Sequence, residues 1–361
     1  MSRRATFTIH DVAKTAGVSV STVSRVLNDK DDVAPETYEK VQRVIRDLGY
    51  ASSLAAKSMR SRKTNVIGLI MPNVGDPFTI EVMKGVNRAI VDLKYDLIIY
   101  TSGSPNLGNW AEHEQHFVSL LNGSITDGMI VVVPTIKTFS TTYPLVAIDP
   151  HKESTSFPAV IATNHAGAMT AMEYLLSLGH RRIGFISGRS ELQSAVRRLQ
   201  GYQDSLRQAN IPLAPELIQV GDYTAATGFA CTQKLLNLPD PPTAIFAAND
   251  QSALGVLKAA KEAGLRVPDD LSVIGFDNIP EADYSGLTTV DQFIDRMGYV
   301  ATEMLVSLIQ GKPPESNLYK IPTRLIVRDS CRAIVNSPAL TDLGLSSRGR
   351  IETTTLAKTL E

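Results

Sequence analysis

The sequence predicts an N-terminal all-α helix-turn-helix headpiece followed by an α/β core of two lobes built on parallel sheets. Three observations point there. Apolar residues recur at helical spacing through the first fifty positions and are interrupted at Gly17 and Gly49. From Asn65 onward, short apolar runs alternate with amphipathic stretches of helical period. That alternation runs twice, which implies two sheets, each covered by helices on both faces.

The first helix starts after Thr8, a residue that can cap it, and carries Ile9, Val12, Ala13 and Ala16 on one face. Gly17 ends it in a tight turn. Val18 supplies an apolar plug, Ser19 a second cap, and residues 20–28 a second helix with Val23, Val26 and Leu27 turned inward. Two short helices across a glycine-containing turn define a helix-turn-helix. A third helix is predicted over residues 35–48, with Pro35 at its first position and Gly49 beyond its end. Val41, Val44, Ile45 and Leu48 form its buried face, and Tyr50 packs nearby. Ala34 stands where a capping side chain is wanted, an omission that costs about 1 kcal/mol.

The core opens with VIGLI, a helix over 79–93, LIIY, a helix over 110–121 and GMIVVV. The second series is RIGFIS, a helix over 197–209, LIQV, a helix over 225–236, AIFAAND, a helix over 251–263 and SVIGFD. In open parallel sheets ligands bind beyond the carboxyl ends of the strands, so two facing lobes place the cleft between those ends. Polar and aromatic residues collect there: Asp76 and Phe78, Asp149, Arg198, Asp222 and Tyr223, Asn249 and Asp250, and Asp277. Aromatic faces with carboxylates and an arginine suit a polyhydroxylated or planar polar ligand.

Composition narrows the function classes. The chain has 361 residues, 43% hydrophobic and 20% charged, with no apolar run near the length of a bilayer span. The N-terminus shows no signal-peptide pattern, so a cytoplasmic location without membrane attachment is expected. Two cysteines, neither beside residues at metal-ligand spacing, argue against a disulfide framework, a structural zinc or any metal site. Residues 1–65 hold 12 Lys+Arg against 7 Asp+Glu, whereas the rest holds 24 against 30. A basic end on an acidic body suits contact with nucleic acid at that end alone. There is no G-x-S-x-G, no G-x-x-x-x-G-K-[ST] and no G-x-G-x-x-G after a strand, so no enzyme and no cofactor are expected. His113 and His116, i and i+3 on a helix, read as a solvated face, and His180 in LGHRR as a structural turn residue.

The string DVAKTAGVSVSTVSRVLN, with VAPETYEKVQRVIRDLGY after it, closely resembles the DNA-binding headpiece of the lac repressor (LacI/GalR) family. LGHRRIGFISG, RRLQGYQDSL, AIFAANDQSALGVLKAAKEAGLRVPDDLSVIGFDN, LTTV and RLIVRDSC resemble its effector-binding core, so the likeness covers roughly residues 6–335. The resemblance implies a core like that of periplasmic binding proteins. It makes Val20, Ser21 and Arg25 base readers in the major groove, with Ser19, Thr22 and Ser24 on phosphates. Arg25 can otherwise be a surface arginine, and Val20 a packing residue. Residues 51–62 occupy the place of the family's hinge helix, in which Met59 stands for the usual wedge leucine over Ala56, and Ser52-Ser53 for the usual Pro-Asn. A plain linker is the alternative.

The family's effector site maps to Asp76, Phe78, Arg198, Tyr223, Asn249 and Asp277. Asn249 and Asp250 are also suited to capping a helix. Thr79 replaces the second aromatic often found after Pro-Phe. The expected organisation is therefore a headpiece over 6–50, a hinge over 51–63, a two-lobed effector-binding and dimerisation core over 64–336, and a disordered tail over 337–361. The expected function is that of a repressor, dimeric on a pseudo-palindromic double-stranded DNA operator and controlled by a small molecule, a sugar or sugar derivative. A purine- or nucleoside-responsive regulator is the alternative, and a pure ligand-binding protein a more distant one.

Overall fold

In the computed structural model, residues 7–27, 30–50, 63–102, 110–152 and 155–334 are described. The hinge and tail expectations, and with them Ala56 and Met59, lie outside the described residues.

The headpiece comprises α1 (Ile9–Ala16), α2 (Val20–Leu27) and α3 (Pro35–Leu48). Its core is the predicted set: Ile9, Val12, Ala13, Ala16, Val23, Val26 and Val41 are buried, with Val44, Ile45, Leu48 and Tyr50 packed around them. The first turn of α1 is closed by Asp11, whose carboxylate accepts from both the N–H and the hydroxyl of Thr8. These bonds hold the Asp11 carboxyl below its usual range. Ser19 caps α2 by accepting from the Thr22 N–H at 3.1 Å. Ala34 makes no side-chain cap to α3, as its sequence requires.

The first lobe contains β1 (Val66–Met71), α4 (Pro77–Leu93), β2 (Asp96–Thr101), α5 (Trp110–Leu121), β3 (Gly128–Val132), β4 (Leu145–Ile148) and β5 (Ala159–Ala162). The second contains α6 (Asn164–Ser177), β6 (Ile183–Ser187), α7 (Gln193–Gln208), β7 (Ile218–Val220), α8 (Ala225–Leu236), β8 (Ala244–Ala247), α9 (Asp250–Glu262), β9 (Ser272–Ile274) and α10 (Pro280–Tyr284). β10 (Thr289–Asp291), α11 (Ile294–Ile309), β11 (Leu318–Ile321) and β12 (Arg324–Ile326) follow. The first sheet is parallel in the order β11-β5-β4-β3-β1-β2, and the second is parallel in the order β7-β6-β8-β9.

Strand β1 shows how the run VIGLIM is used. Ile67, Leu69 and Met71 face α4 and α11, whereas Ile70 faces Val118 and Leu121 of α5. Period-two alternation thus feeds two apolar layers, the pattern of a sheet covered on both sides.

The lobes are not consecutive halves of the sequence. After building the second lobe, the chain returns to the first with α11, which packs on α4, and with β11, which pairs with β5. It then crosses back to β12, antiparallel to β10. Three segments therefore cross between lobes: at Thr163, at Gln292 and Phe293, and at Pro322 and Thr323. The first and third are tied together, since the Thr163 N–H donates to the Ile321 carbonyl and the Thr323 N–H to the Thr163 hydroxyl. Helix α7 also starts at Gln193 rather than near 197, so Arg198 sits in its second turn instead of opening it.

Two polar clamps close the core. Asp127, just before β3, accepts from the Thr64 N–H at 2.6 Å, the Thr64 hydroxyl at 2.8 Å and the Asn65 N–H at 2.9 Å. His180, only 3% exposed, lies against the hydroxyls of Thr243 and Ser272 and the Arg332 carbonyl. This bond set assigns Nε2–H as the donor to the carbonyl and Nδ1 as the acceptor from Thr243. Burial holds the His180 pKa below its ordinary value, so the neutral ring belongs to the folded state. The stability it contributes is complete above the unfolded histidine pKa of about 6.5 and is lost as pH falls below it. Denaturant titrations between pH 7.5 and 5 should therefore show an acid-side loss in the parent protein that is smaller in His180→Gln.

Candidate functional site

A cavity of about 320 Å3 lies between the carboxyl ends of the two sheets. All six residues expected at an effector site line it: Asp76, Phe78, Arg198, Tyr223, Asn249 and Asp277. Asp76 and Phe78 come from the start of α4 in the first lobe, and the other four from the second. The walls are built in uncommon backbone conformations. Val133, Asp149, Tyr223 and Asp277 all have positive φ, at 51°, 48°, 73° and 124°. Non-glycine residues occupy that region at a cost, and such residues gather at functional sites.

Arg198 is the centre of the site and is 3% exposed. Its Nε donates to Asn164 Oδ1 at 2.8 Å, Nη1 to the Ala248 carbonyl at 2.5 Å and to Asp277 Oδ1 at 3.3 Å, and Nη2 to Gln292 Oε1 at 3.3 Å. The guanidinium also lies over the Phe276 ring, 3.7 Å from its centroid. Four of its five N–H groups are thus engaged within the protein. Asp277, 6% exposed, accepts from Arg198 and from Gln292 Nε2 at 2.5 Å. Burial raises the Asp277 carboxyl well above its usual range against the pull of Arg198, and nearby Asp250 adds to the rise. Asp250 lies fully buried behind it, accepting from the Thr289 hydroxyl and the Ile279 N–H, and burial pushes its pKa up to about 7.

Other predicted residues have two duties. Asp76 caps α4 by accepting from the Thr79 N–H at 3.2 Å, and Thr79 is buried, its hydroxyl donating to the carbonyls of Asn73 and Asp76. Thr79 therefore secures the turn under Asp76 where a second aromatic would have lined the cleft. The surrounding protein pushes the Asp76 carboxyl upward, although solvent still reaches it through the cleft mouth. Asn249 caps α9 by accepting from the Ser252 N–H at 3.0 Å and donates to the Tyr223 carbonyl at 3.1 Å. Phe78 lines the cavity and also packs on the first-lobe core.

The Tyr223 ring rests on Gly188, where a Cβ would fall 2.1 Å from it. Its hydroxyl is buried without a hydrogen-bond partner among the described residues, and burial pushes its pKa up to about 12. Such an atom carries a penalty that a ligand can relieve.

The cavity wall also includes Asp149 and Asp222, which the strand-end reading placed at the cleft, and Arg189, Ser194 and Gln292, which it did not name. Asp149 stands at a strand end and was readable there. Gln292 was not, because it belongs to an inter-lobe crossing that only long-range packing defines.

In the headpiece, Ser19, Ser21 and Arg25 of the predicted DNA set are exposed, and Ser21 and Arg25 share a face of α2 at i, i+4. Val20 is half-buried and packs against the headpiece core, so it serves structure as well. Thr22 and Ser24 are partly buried. Ser19 is occupied as a cap and also contacts the hydroxyls of Ser21 and Thr22 at 2.6 and 2.9 Å. Arg25 rests against Asp32 at 3.4 Å, both largely exposed, a contact weak enough to exchange. His113 and His116 lie exposed on α5, and no group of metal-binding side chains occurs among the described residues. None of their helices is long and apolar enough to cross a membrane.

A helix-turn-helix in front of two parallel-sheet lobes enclosing a polar cleft defines a DNA-binding regulator. Comparison with known proteins places it further. Residues 8–53 match the family of bacterial regulatory proteins, lacI family, and residues 172–331 match a periplasmic binding protein-like domain. The chain is 34% identical to the HTH-type transcriptional repressor CytR of Escherichia coli (strain K12) over 335 residues, covering 91% of this chain and 97% of that one. It is 33% identical to the HTH-type transcriptional repressor PurR of Vibrio vulnificus, covering 91% and 99%. The lac repressor dimer bound to operator and the anti-inducer ONPF superposes with a TM-score of 0.79 at 28% identity, covering 91% and 99%. The transcriptional regulator CelR in complex with cellobiose superposes with a TM-score of 0.67 at 30% identity, covering 90% and 99%. The chain belongs to the LacI family: it is a DNA-binding transcriptional repressor and not an enzyme.

Two variants test the cavity's construction. Gly188→Ala should cost about 1–3 kcal/mol through overpacking against Tyr223, read as a lower denaturant midpoint at unchanged slope. Arg198→Met should cost about 3–5 kcal/mol in the same titration, because it leaves Asp277 buried without its cation.

Proposed function

We propose that this repressor acts as a homodimer on a pseudo-palindromic double-stranded operator, and that a sugar or sugar derivative bound between its lobes sets its affinity for that operator. The observation that carries the reading is the convergence of Asp76, Phe78, Arg198, Tyr223, Asn249 and Asp277 on one inter-lobe cavity behind a helix-turn-helix. The cellobiose complex of CelR supports a sugar, and the aromatic pair Phe78 and Tyr223 gives a sugar ring its apolar face. A nucleoside or purine is the second reading, favoured by the same two rings, which suit a planar base.

On DNA, α2 enters the major groove. Arg25 leaves Asp32 for a guanine edge, Ser21 and Val20 meet neighbouring bases, and Ser19, Thr22 and Ser24 contact phosphates. Met59, over Ala56, is the proposed minor-groove wedge of the hinge over 51–63. Residues 6–50 act as the headpiece and 64–336 as the effector-binding and dimerisation core. Closure of the lobes on ligand changes how the paired hinges meet the operator, and the coupling is reciprocal.

Titration of operator at fixed salt, with and without saturating ligand, tests the coupling; an affinity unmoved by a ligand that binds the core would refute it. Arg25→Ala should weaken the cognate operator by about 1–3 kcal/mol and relax discrimination at one base pair in each half-site, measured by binding to single-substituted operators.

A further inference from the structure

The charges of the cavity select among ligands more narrowly than its shape does. Four carboxylates line it, those of Asp76, Asp149, Asp222 and Asp277, against the two guanidinium groups of Arg189 and Arg198. Arg198 is paired with buried Asp277 at 3.3 Å, whereas Arg189 reaches only the largely exposed Glu191, at 3.6 Å, and its buried Nε has no hydrogen-bond partner among the described residues. The same two cations must also serve the remaining acids, Arg189 drawing on Asp76 and Arg198 on Asp149, so four carboxylates share two guanidinium groups. Arg198, the central donor, has four of its N–H groups committed to Asn164, Ala248, Asp277 and Gln292. What the wall offers a ligand is therefore mainly oxygen acceptors: the carboxylates of Asp149, of Asp76 and of Asp222, the last two each with one oxygen already accepting from Thr79 or Thr224, and the buried hydroxyl of Tyr223, able to give or accept.

Resting on the ligand site proposed above, we infer that this cavity takes an uncharged, donor-rich ligand, an unphosphorylated sugar or nucleoside, and rejects its phosphorylated counterpart. A phosphate brought within the cavity meets an excess of carboxylates, with Asp149 and Asp277 in partly desolvated surroundings where charges interact more strongly than in water. Of its two cations, Arg198 would have to leave buried Asp277 stranded, and Arg189 alone is set against the excess of carboxylates. A hydroxyl or amino group instead donates to those same carboxylates, in charge-assisted hydrogen bonds. Burial already raises the carboxyls of Asp149 and Asp277, a sign that the cavity disfavours more negative charge.

The test uses the full-length protein and matched pairs of probes: glucose and glucose 6-phosphate, cellobiose and its phosphate, adenosine and cytidine with their 5′-monophosphates. Thermal shift screens the set, and calorimetry gives dissociation constants for those that bind. The expected result is that the neutral member of a binding pair raises the melting temperature and binds at least 30-fold more tightly than its phosphorylated partner. Asp149→Asn should narrow that gap several-fold by improving the phosphorylated partner. A phosphorylated probe that binds as tightly as its neutral partner, and whose binding is lost in Phe78→Ala, overturns the inference while leaving the site in place. Binding that survives Phe78→Ala, or silence from every probe, overturns the site itself and this inference with it.

Discussion

A positive charge that never reaches bulk water organises the core. The guanidinium of Arg198 is held by the Asn164 amide beside the first inter-lobe crossing, by Gln292 in the second, by the carbonyl that follows β8 and by the Asp277 carboxylate. Burying a charge is costly unless nearly every donor finds an acceptor, and here four do, with an aromatic face beneath. Asn164 and Gln292 flank the route by which the chain passes between lobes, so Arg198 fixes the geometry of the crossings along with that of the cleft. The lining of the inter-lobe cavity and the chain's crossings between lobes therefore draw on one hydrogen-bond network.

Much of this was readable in the sequence, and the boundary is a physical one. The headpiece was legible in full because its signals are local: apolar spacing, Ser19 and Gly17 as punctuation, Pro35 at a helix start. The alternation of strands and helices was legible for the same reason. The return of α11 and β11 to the first lobe was not, since nothing local tells Ile294 to pack on α4 rather than on the lobe just built. The start of α7 was placed late because the turn before it, ending in Leu192, has no capping side chain to announce it. Gln292 was missed because its importance comes from Arg198 and Asp277, far away in the chain.

Choosing between a structural and a functional duty proved the wrong question at several positions. Asp76 and Asn249 cap helices with the same side chains that line the cavity, and Ser19 caps α2 beside its exposed face of Ser21 and Arg25. A cap orders the side chain that performs it, so the group meets its partner with little conformational entropy left to lose. Tyr223 follows the same logic through packing, its ring laid on a residue with no side chain of its own.

The clamp at Asp127 has a mechanical meaning. It fastens Thr64 and Asn65 to the turn that feeds β3, so the peptide arriving from the headpiece is riveted to the first lobe at its very edge. A movement of the first lobe therefore carries Thr64 and Asn65 with it, and the place where the chain enters that lobe is set by a carboxylate 63 residues beyond Thr64.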